Sequence, residues 1–586
     1  MHVVATAGHV DHGKSTLVRL LTGMEPDRWA EERRRGMTID LGFAWTTLPT
    51  GETVAFVDVP GHERFVGNML AGIGPVPAAL LVVAADQGWQ AQSAEHLDAL
   101  DALGVRHGLL AVTRCDLADP SEAEAEALAH LGRTSLGALP TVRVSGRTGE
   151  GLDDLLLALA LVIEDLPPPT TDGDVRLWVD RAFTIRGAGT VVTGTLPAGT
   201  VRVGDELALA GGGPRVVVRG IQSLGRAADS VAAVARVALN LRGVGLADIG
   251  RGDALVTPRR WLDTDQVDVR LRGDQAADLP GEVILHVGSA AVAATVRPLG
   301  SDTARLRLQR SLPLRIGDAA ALRDPGRRRI AAGVRVLDVR PPSLRRRGAA
   351  VARAAVLAAL DGTPDGADEV RRRGIVPVAE LRAMGAQPPT APLVGDWLVD
   401  PDLLVELTAR ARRTVGEYAA AHPLDVGMPL ELLRRELRLP DVRLVPSVVT
   451  APYRVREGRV VAETTGPGLP PEVQAAVAEL RADLTREPYA APGAERLAAL
   501  GLRSRELGAV ARAGSLLKVT DGIYLLPGAD ATAAAVLAGL EQPFTLSAAR
   551  QALGTSRRVA VPLLELLARQ GRTRRLPDDT HEVLGA

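Results

Sequence analysis

The sequence predicts a multidomain chain in three parts: an N-terminal α/β domain built around a phosphate-binding loop, two small β-barrels, and a C-terminal array of helical modules with short β segments. Three observations carry that division. At 586 residues the chain is well beyond the roughly 250 to 300 at which a single hydrophobic core stops growing. An apolar strand, a glycine-rich loop and a helical stretch follow one another from His2 to Leu21. After Pro167-Pro168-Pro169 apolar residues alternate between glycine turns, and from Pro341-Pro342 the pattern becomes helical.

Hydrophobic residues make up 46% and charged residues 24%, a globular composition that excludes wholesale disorder. Lys+Arg 69 against Asp+Glu 70 leaves a net charge of -1, so a nucleic-acid partner must be held by local patches. With Cys115 alone, neither an internal disulfide nor a four-cysteine zinc site can form, which suits a reducing compartment. The longest apolar run, Ala78 to Ala85, is short of the ~20 residues that span a bilayer and reads as a buried strand. With no leader pattern before the first motif, a cytoplasmic monomer without a membrane partner is expected. Apart from Lys14 and Lys518, every lysine-or-arginine position is arginine, which singles out Lys14 as a place where an ammonium is needed.

Lys14 ends the loop Gly8-His9-Val10-Asp11-His12-Gly13-Lys14-Ser15, a match to the pattern GxxxxGK[ST] between the strand His2 to Ala7 and the helix opening at Thr16. In such a loop backbone N–H groups approach the phosphates, the helix presents its positive end, Lys14 reaches the terminal phosphates and Ser15 ligates magnesium. A second apolar strand, Thr53 to Val57, runs into Asp58-Val59-Pro60-Gly61-His62. Asp58 is placed to hold the magnesium shell, Gly61 to offer its N–H to the terminal phosphate, and His62 to orient the attacking water. Between them Arg33-Arg34-Arg35-Gly36-Met37-Thr38-Ile39-Asp40 is polar and broken by glycine, a candidate switch loop whose Thr38 hydroxyl completes the magnesium shell. Base selection is expected from Thr113-Arg114-Cys115-Asp116, after the strand Leu109 to Val112. Asp116 would accept from both N–H groups on the guanine edge, whereas adenine would leave it unsatisfied. Ser145-Gly146-Arg147 follows a further strand and would cradle the base. GTP and Mg2+ are the expected ligands.

Over roughly the first 165 residues the segments GHVDHGKS, RGMTID, DVPGHERF and TRCD resemble the translational GTPases of the elongation factor Tu type. Arg35 to Trp45, RGMTIDLGFAW, resembles the switch region of the selenocysteine-specific elongation factor (SelB) family in particular. Thr113 and Arg114 depart from the Asn-Lys-x-Asp usual in GTPases, and threonine at the first position is a habit of the SelB family. Ser145-Gly146-Arg147 likewise replaces the usual Ser-Ala-Lys. The GTPase domain is placed at residues 1–170, the second domain at 171–258 and the third at 259–340, both β-barrels.

Asp180-Arg181-Ala182-Phe183 and Gly187 to Gly194 are similar to the second domain of that family, which together with the GTPase domain holds the aminoacyl end of the tRNA. Selenocysteine and serine differ in a selenol that ionises near neutral pH, so fixed positive charge can tell them apart. The resemblance assigns that pocket to Arg181 and Arg236, with Asp40 on its switch side.

Residues 341–586 have the length for four tandem winged-helix modules of ~60 residues, the architecture the resemblance implies. In the last, about 529–586, Phe544 to Arg558, Val561 to Leu567 and Gly571 to Arg575 read helix, turn, helix, wing. Ser556 is expected to cap the second helix, placing Arg557 and Arg558 at its first turn, with Arg572, Arg574 and Arg575 on the wing. The runs Arg345-Arg346-Arg347 and Arg371-Arg372-Arg373 read as solvated faces. In the SelB family the last module grips an mRNA hairpin, the SECIS element, that marks a UGA codon. The resemblance thus implies a GTP-hydrolysing factor that delivers selenocysteinyl-tRNA to the ribosome there. The alternatives are a carrier of another aminoacyl-tRNA, for which the tail is superfluous, and a nucleotide-gated winged-helix DNA regulator, which needs base-edge contacts and no aminoacyl pocket.

Overall fold

The computed structural model describes residues 1–26, 38, 40–74, 76–187, 189–463 and 469–584. The switch-loop residues Arg33, Arg34, Arg35, Gly36, Met37 and Ile39 lie outside them, as does Ala188. The chain divides into two compact units, the first Met1–Pro392 with Asp396–Leu398, the second Leu393–Gly395 with Val399–Ala586.

In the first unit, six strands form one sheet: β1 (His2–Ala7), β2 (Gly42–Thr47), β3 (Thr53–Asp58), β4 (Ala78–Ala84), β5 (His107–Thr113) and β6 (Thr141–Arg143). Their order is β2-β3-β1-β4-β5-β6, parallel except for β2, which runs antiparallel to β3. β4 is buried along its whole length, as expected of a continuous apolar strand covered on both faces. The covering helices are α1 (Lys14–Thr22), α2 (Val66–Ile73), α3 (Ala91–Ala102), α4 (Ser121–Leu131) and α5 (Leu152–Glu164). They give two cores, one holding Met69, Leu100 and Leu131, the other Leu17, Phe56 and Leu155. The loops leaving β1, β3, β5 and β6 all emerge at the carboxyl edge, and the strand order reverses beside β1, the usual place for a ligand in an open α/β sheet.

The second domain is an eight-stranded antiparallel sheet with a separate ribbon of Thr200–Arg202 and Ser230–Ala232. It wraps a core of its own, including Leu177, Val192, Val216 and Leu239. Among the described residues its ladder does not close as the expected barrel would: the path ends at Arg176–Trp178 and Arg181–Ile185. Those end strands follow one another across a corner at Val179 and Asp180, whose N–H groups bond to the Asp253 and Thr193 carbonyls instead. The third domain is a closed six-stranded barrel between Asp263 and Asp338. Paired arginines join the two, Arg176 to Asp318 and Arg315 to Asp174.

The helices Ala349–Ala358 and Gly366–Arg373 belong to the first unit and are tied to the barrel by buried charge. Arg353 donates to Asp268 (2.7 Å) and Asp338 (2.5 Å), Arg305 donates to Asp268, and Arg373 donates to Asp338 and Glu369 at 2.8 Å each. This corrects the expectation of a solvated face at Arg371-Arg372-Arg373: Arg371 is exposed, whereas Arg372 pairs with the buried Glu369. Burial pushes the Asp338 carboxyl up, but Arg373 and Arg353 outweigh it and hold the group below the usual carboxylate range. Removing one partner of a buried ionic cluster costs about 3 kcal/mol or more, because charge is left uncompensated. Arg353→Ala is therefore expected to lower the urea midpoint of the first unit markedly, and an unchanged midpoint would show that Arg305 and Arg373 neutralise both aspartates alone.

In the second unit helices alternate with small antiparallel sheets. Pro401–Ala421 precedes a three-stranded sheet whose first strand, Met428–Pro429, runs into Leu430–Leu437 and pairs with the later hairpin Tyr453–Arg456/Arg459–Ala462. Pro471–Arg486, Ala494–Ala499 and Ser504–Arg512 precede the hairpin Leu517–Thr520/Ile523–Leu525. Ala529–Ala538, Leu546–Ala552 and Arg557–Arg569 precede the pair Thr573–Arg575/His581–Val583. The last two groups share one core, from Leu480 and Val510 to Leu563 and Leu567. Among the described residues no helix is long and apolar enough to cross a membrane.

Candidate functional site

The phosphate loop leaves β1 through Gly8, whose φ of +132° and approach to β4 admit no side chain: a Cβ there would lie 2.2 Å from the Val82 carbonyl oxygen. The loop turns back into α1, whose first residue, Lys14, is buried. Lys14 Nζ donates to the Gly8 and His9 carbonyls at 2.8 Å each, where it can exchange those bonds for phosphate oxygens. Burial brings its pKa down to about 8 against the opposing pull of Asp58 and Asp11. Gly61 closes this end, since a Cβ on it would stand 2.7 Å from both Lys14 Nζ and the Val10 nitrogen.

The three predicted magnesium ligands come together. Ser15 Oγ donates to Asp58 Oδ2 at 2.6 Å and lies 3.0 Å from Thr38 Oγ1, and Thr6 Oγ1 donates to the other Asp58 oxygen at 2.6 Å. Two hydroxyls and one carboxylate make a hard oxygen set that fits Mg2+, which keeps several waters and shares phosphate oxygens. A cleft of about 870 Å³ runs from here past Asp11, Gly13, Thr16, Thr38 and Gly61 to Thr113, Arg114, Asp116, Gly146 and Arg147.

At the base end Asp116 accepts from Ser145 Oγ at 2.7 Å and stands 3.3 Å from Arg147 Nε. Ser145 Oγ in turn accepts from the Arg147 and Thr148 N–H groups, fixing the loop. The departures at 113 and 114 acquire a structural role. Thr113 Oγ1 donates to the His12 carbonyl at 2.8 Å, and Arg114 reaches the Asp11 carbonyl and pairs with Asp86 at 3.1 Å. Both tie the base loop to the phosphate loop.

Sequence reasoning missed two residues of α3 that hold the phosphate loop from behind. His96 Nδ1 accepts from the Gly8 N–H at 3.1 Å and Gln92 Oε1 from the Val10 N–H at 3.0 Å. Their i, i+4 spacing puts them on one helix face, the only signal the sequence offers. Burial keeps the His96 imidazole well below its ordinary pKa, and brings His12, 5.1 Å from the His9 ring, down to about 4. Both rings are neutral at pH 7.

His62 is not among the residues lining the cleft. It is half-buried and caps the turn Glu63–Phe65, Nδ1 accepting from the Arg64 N–H at 3.2 Å, its ring tilted against Phe65.

The three pocket residues meet in a second cavity, about 740 Å³, between β2, β3 and the second domain. Arg181 donates to Asp40 Oδ2 at 2.6 Å. Arg236 pairs with Asp180, donating to its Oδ1 at 2.8 Å, and its guanidinium stacks 3.8 Å over the Phe43 ring. Arg251 approaches Asp40 to 3.6 Å. Asp180, Phe43 and Arg251 are additions to the predicted set, and the first and last of them complete its charge balance.

The predicted RNA contacts fare unevenly. Ser556 occupies the N-cap of Arg557–Arg569, but its side chain makes no capping bond, so that expectation is corrected: the first turn is closed by backbone bonds to the Ser556 carbonyl. Arg558 is drawn to the Ala491 and Pro492 carbonyls, Arg574 pairs with Glu582 and Arg575 with Asp579. Arg557 and Arg572 are exposed and make no ion pair among the described residues.

A phosphate loop at the switch point of an α/β sheet, with a hydroxyl-and-aspartate metal pole and an aspartate at the base end, defines a P-loop nucleotide-binding domain, here followed by two β domains. Residues 1–165 match the family described as the elongation factor Tu GTP binding domain, residues 264–343 the β-barrel domain of selenocysteine-specific elongation factor, and residues 535–581 a winged helix of elongation factor SelB. Elongation factor Tu 2 of Streptomyces avermitilis is 32% identical over 55% of this chain and 93% of its own length. The selenocysteine-specific elongation factor of Desulfomicrobium baculatum is 37% identical over 65% of this chain, which spans 63% of that relative. A crystal structure of a bacterial selenocysteine-specific elongation factor, EF-Sec, aligns along the whole of both chains with TM-score 0.76 at 24% identity, a likeness of fold. The chain belongs to the translational GTPases of the elongation factor Tu type.

Proposed function

We propose that this chain is a GTP-dependent elongation factor that binds selenocysteinyl-tRNA and delivers it to the ribosome, as a cytoplasmic monomer, at UGA codons marked by an mRNA hairpin. The observation that carries the reading is the charge of the second cavity. Among the described residues its lining carries two guanidiniums, Arg181 and Arg236, against one carboxylate, Asp40; behind the lining Asp180 pairs with Arg236 and Arg251 approaches Asp40, so the excess of one positive charge is kept. A selenolate would neutralise that excess, whereas a serine hydroxyl would leave a half-buried charge without a counter-ion.

Bound GTP supplies the phosphoanhydride that is cleaved and, with Mg2+, the charge that orders the switch. Lys14 and the loop N–H groups would bind the phosphates, and Ser15, Thr38 and Asp58, whose oxygens lie together, would hold the metal. Asp116 and Ser145 would orient the base, and His62, once swung off the Arg64 N–H toward Gly61, would orient water for attack. Loss of the terminal phosphate frees Thr38, and with it Asp40 on the wall of the aminoacyl cavity.

For the tail we propose four winged-helix modules, the last holding the hairpin. Arg557 and Arg572 would contact phosphate directly. Arg574 and Arg575 would exchange their exposed pairs, each worth about 1 kcal/mol or less, for it.

The full chain, loaded with a non-hydrolysable GTP analogue, should bind selenocysteinyl-tRNA roughly 100-fold more tightly than seryl-tRNA on the same tRNA body, the scale of one uncompensated buried charge. Equal affinities in an equilibrium binding assay would sink the reading.

A further inference from the structure

We infer that Arg251 is a positioning residue through which the nucleotide state reaches the aminoacyl cavity: it clamps Asp40 and Asn68, one from each segment flanking the terminal-phosphate site, onto the second domain. The inference rests on the function proposed above and adds how the two sites communicate.

The base of the clamp is fixed. In the loop Gly250 to Asp253 the Gly250 N–H donates to Asp253 Oδ2 at 2.8 Å and the Gly252 N–H to the Val179 carbonyl at 2.9 Å. The Gly252 carbonyl accepts from Arg310 of the third-domain barrel at 2.6 Å. The loop is thus pinned on the second and third domains together, and the Arg251 side chain reaches from it to the first.

Its tip divides between two partners. Nη1 donates to Asn68 Oδ1 at 2.7 Å and lies 3.6 Å from Asp40 Oδ1, while the other Asp40 oxygen accepts from the cavity arginine Arg181. Asp40 is two residues beyond the magnesium ligand Thr38, so their Cα atoms are at most about 7 Å apart and a shift of one displaces the other. Asn68 sits in the first turn of α2, directly after the segment carrying Gly61 and His62. One guanidinium therefore contacts both elements whose positions depend on the terminal phosphate. When either moves, the charge that holds Asp40 moves, and Asp40 sets Arg181. Because such coupling is reciprocal, tRNA binding would favour the triphosphate state by the same factor.

The test uses the full chain with Arg251→Ala, Arg251→Lys and Asn68→Ala. Binding of selenocysteinyl-tRNA is measured with a non-hydrolysable GTP analogue and with GDP, and the ratio of affinities is the readout. Arg251→Ala should lower that ratio about tenfold, within the usual range of coupling between sites, with affinity for nucleotide alone unchanged within about twofold. Asn68→Ala should lower it too, and the double variant should fall no further than Arg251→Ala. Arg251→Lys, which keeps a charge but not the two-pronged reach, should recover only part of the loss. A wild-type ratio in Arg251→Ala, or affinity lost equally in both nucleotide states as from a merely structural contact, overturns the inference. If the wild-type chain fails to prefer selenocysteinyl-tRNA, that is a failure of the proposed function. The clamp is then judged by hydrogen exchange alone. The GTP analogue, compared with GDP, should protect amides of Gly250 to Asp253 in wild type and not in Arg251→Ala, and protection that persists in the variant overturns it.

Discussion

Replacing His62 by alanine should slow ribosome-stimulated GTP hydrolysis by roughly 10²- to 10⁴-fold, the usual contribution of a side chain that positions or exchanges a proton in the transition state. GTP affinity should stay within about twofold of wild type. The separation follows from where the ring stands. Gly61 lines the nucleotide cleft and His62 does not, so truncation removes nothing that holds GTP. Nδ1 is taken up by the Arg64 N–H, which keeps the neutral ring's proton on Nε2 in this position; turning the ring inward releases Nδ1 and leaves the imidazole to address a water. That turn breaks one exposed hydrogen bond and a tilted contact with Phe65, about 1 kcal/mol or so, small enough for ribosome docking to supply. Single-turnover hydrolysis on programmed ribosomes, beside a nucleotide titration without them, separates the two quantities. Undiminished turnover would remove His62 from the reaction.

The nucleotide site was legible because its chemistry is local. Apart from Thr38, which precedes β2, each predicted ligand follows a strand in a motif of a few residues, and a parallel sheet brings the ends of such strands to one edge whatever the loops between them do. What stayed hidden depends on pairs far apart in the chain. Gln92 and His96 read as ordinary helix residues, and only packing against β1 makes them acceptors for the phosphate-loop N–H groups. Asp180 lies next to Arg181 in sequence, yet it pairs with Arg236 across the sheet, while Arg181 turns to Asp40. The predicted arginines were thus in the cavity, but its charge balance was not readable from them.

The tail shows the same limit in another form. Helix-turn-helix-wing at Leu546–Val583 follows from local pattern, whereas the Ser556 cap does not form, because a capping hydroxyl needs a rotamer that sequence does not specify. Arg372 and Arg373 look like a solvated charge run until Asp338, from a barrel strand more than thirty residues earlier, supplies the buried counter-charge. A run of like charges says nothing about what faces it.

Lys14 tests whether the single ammonium in the phosphate site is irreplaceable. Lys14→Met keeps the aliphatic stem but removes the charge, and should weaken GTP and GDP binding by roughly 10²- to 10⁴-fold, since two hydrogen bonds to charged oxygens are worth about 1.5 to 3 kcal/mol each. The nucleotide-free fold should not suffer. Burial already holds the ammonium down to about pKa 8, so its removal relieves desolvation while giving up bonds to two loop carbonyls. Thermal midpoints without nucleotide should therefore match wild type, while the rise that GTP gives the wild-type chain by mass action should vanish. Lys14→Arg is the sharper case, because arginine replaces lysine almost everywhere else in this chain. A guanidinium is planar and wider than an ammonium, and the space beyond Nζ is closed by the Gly61 backbone, where even a Cβ would come to 2.7 Å. Nucleotide titration of that variant should show a loss close to that of Lys14→Met; binding at wild-type strength would mean that positive charge alone suffices and that the lysine at 14 has no geometric basis.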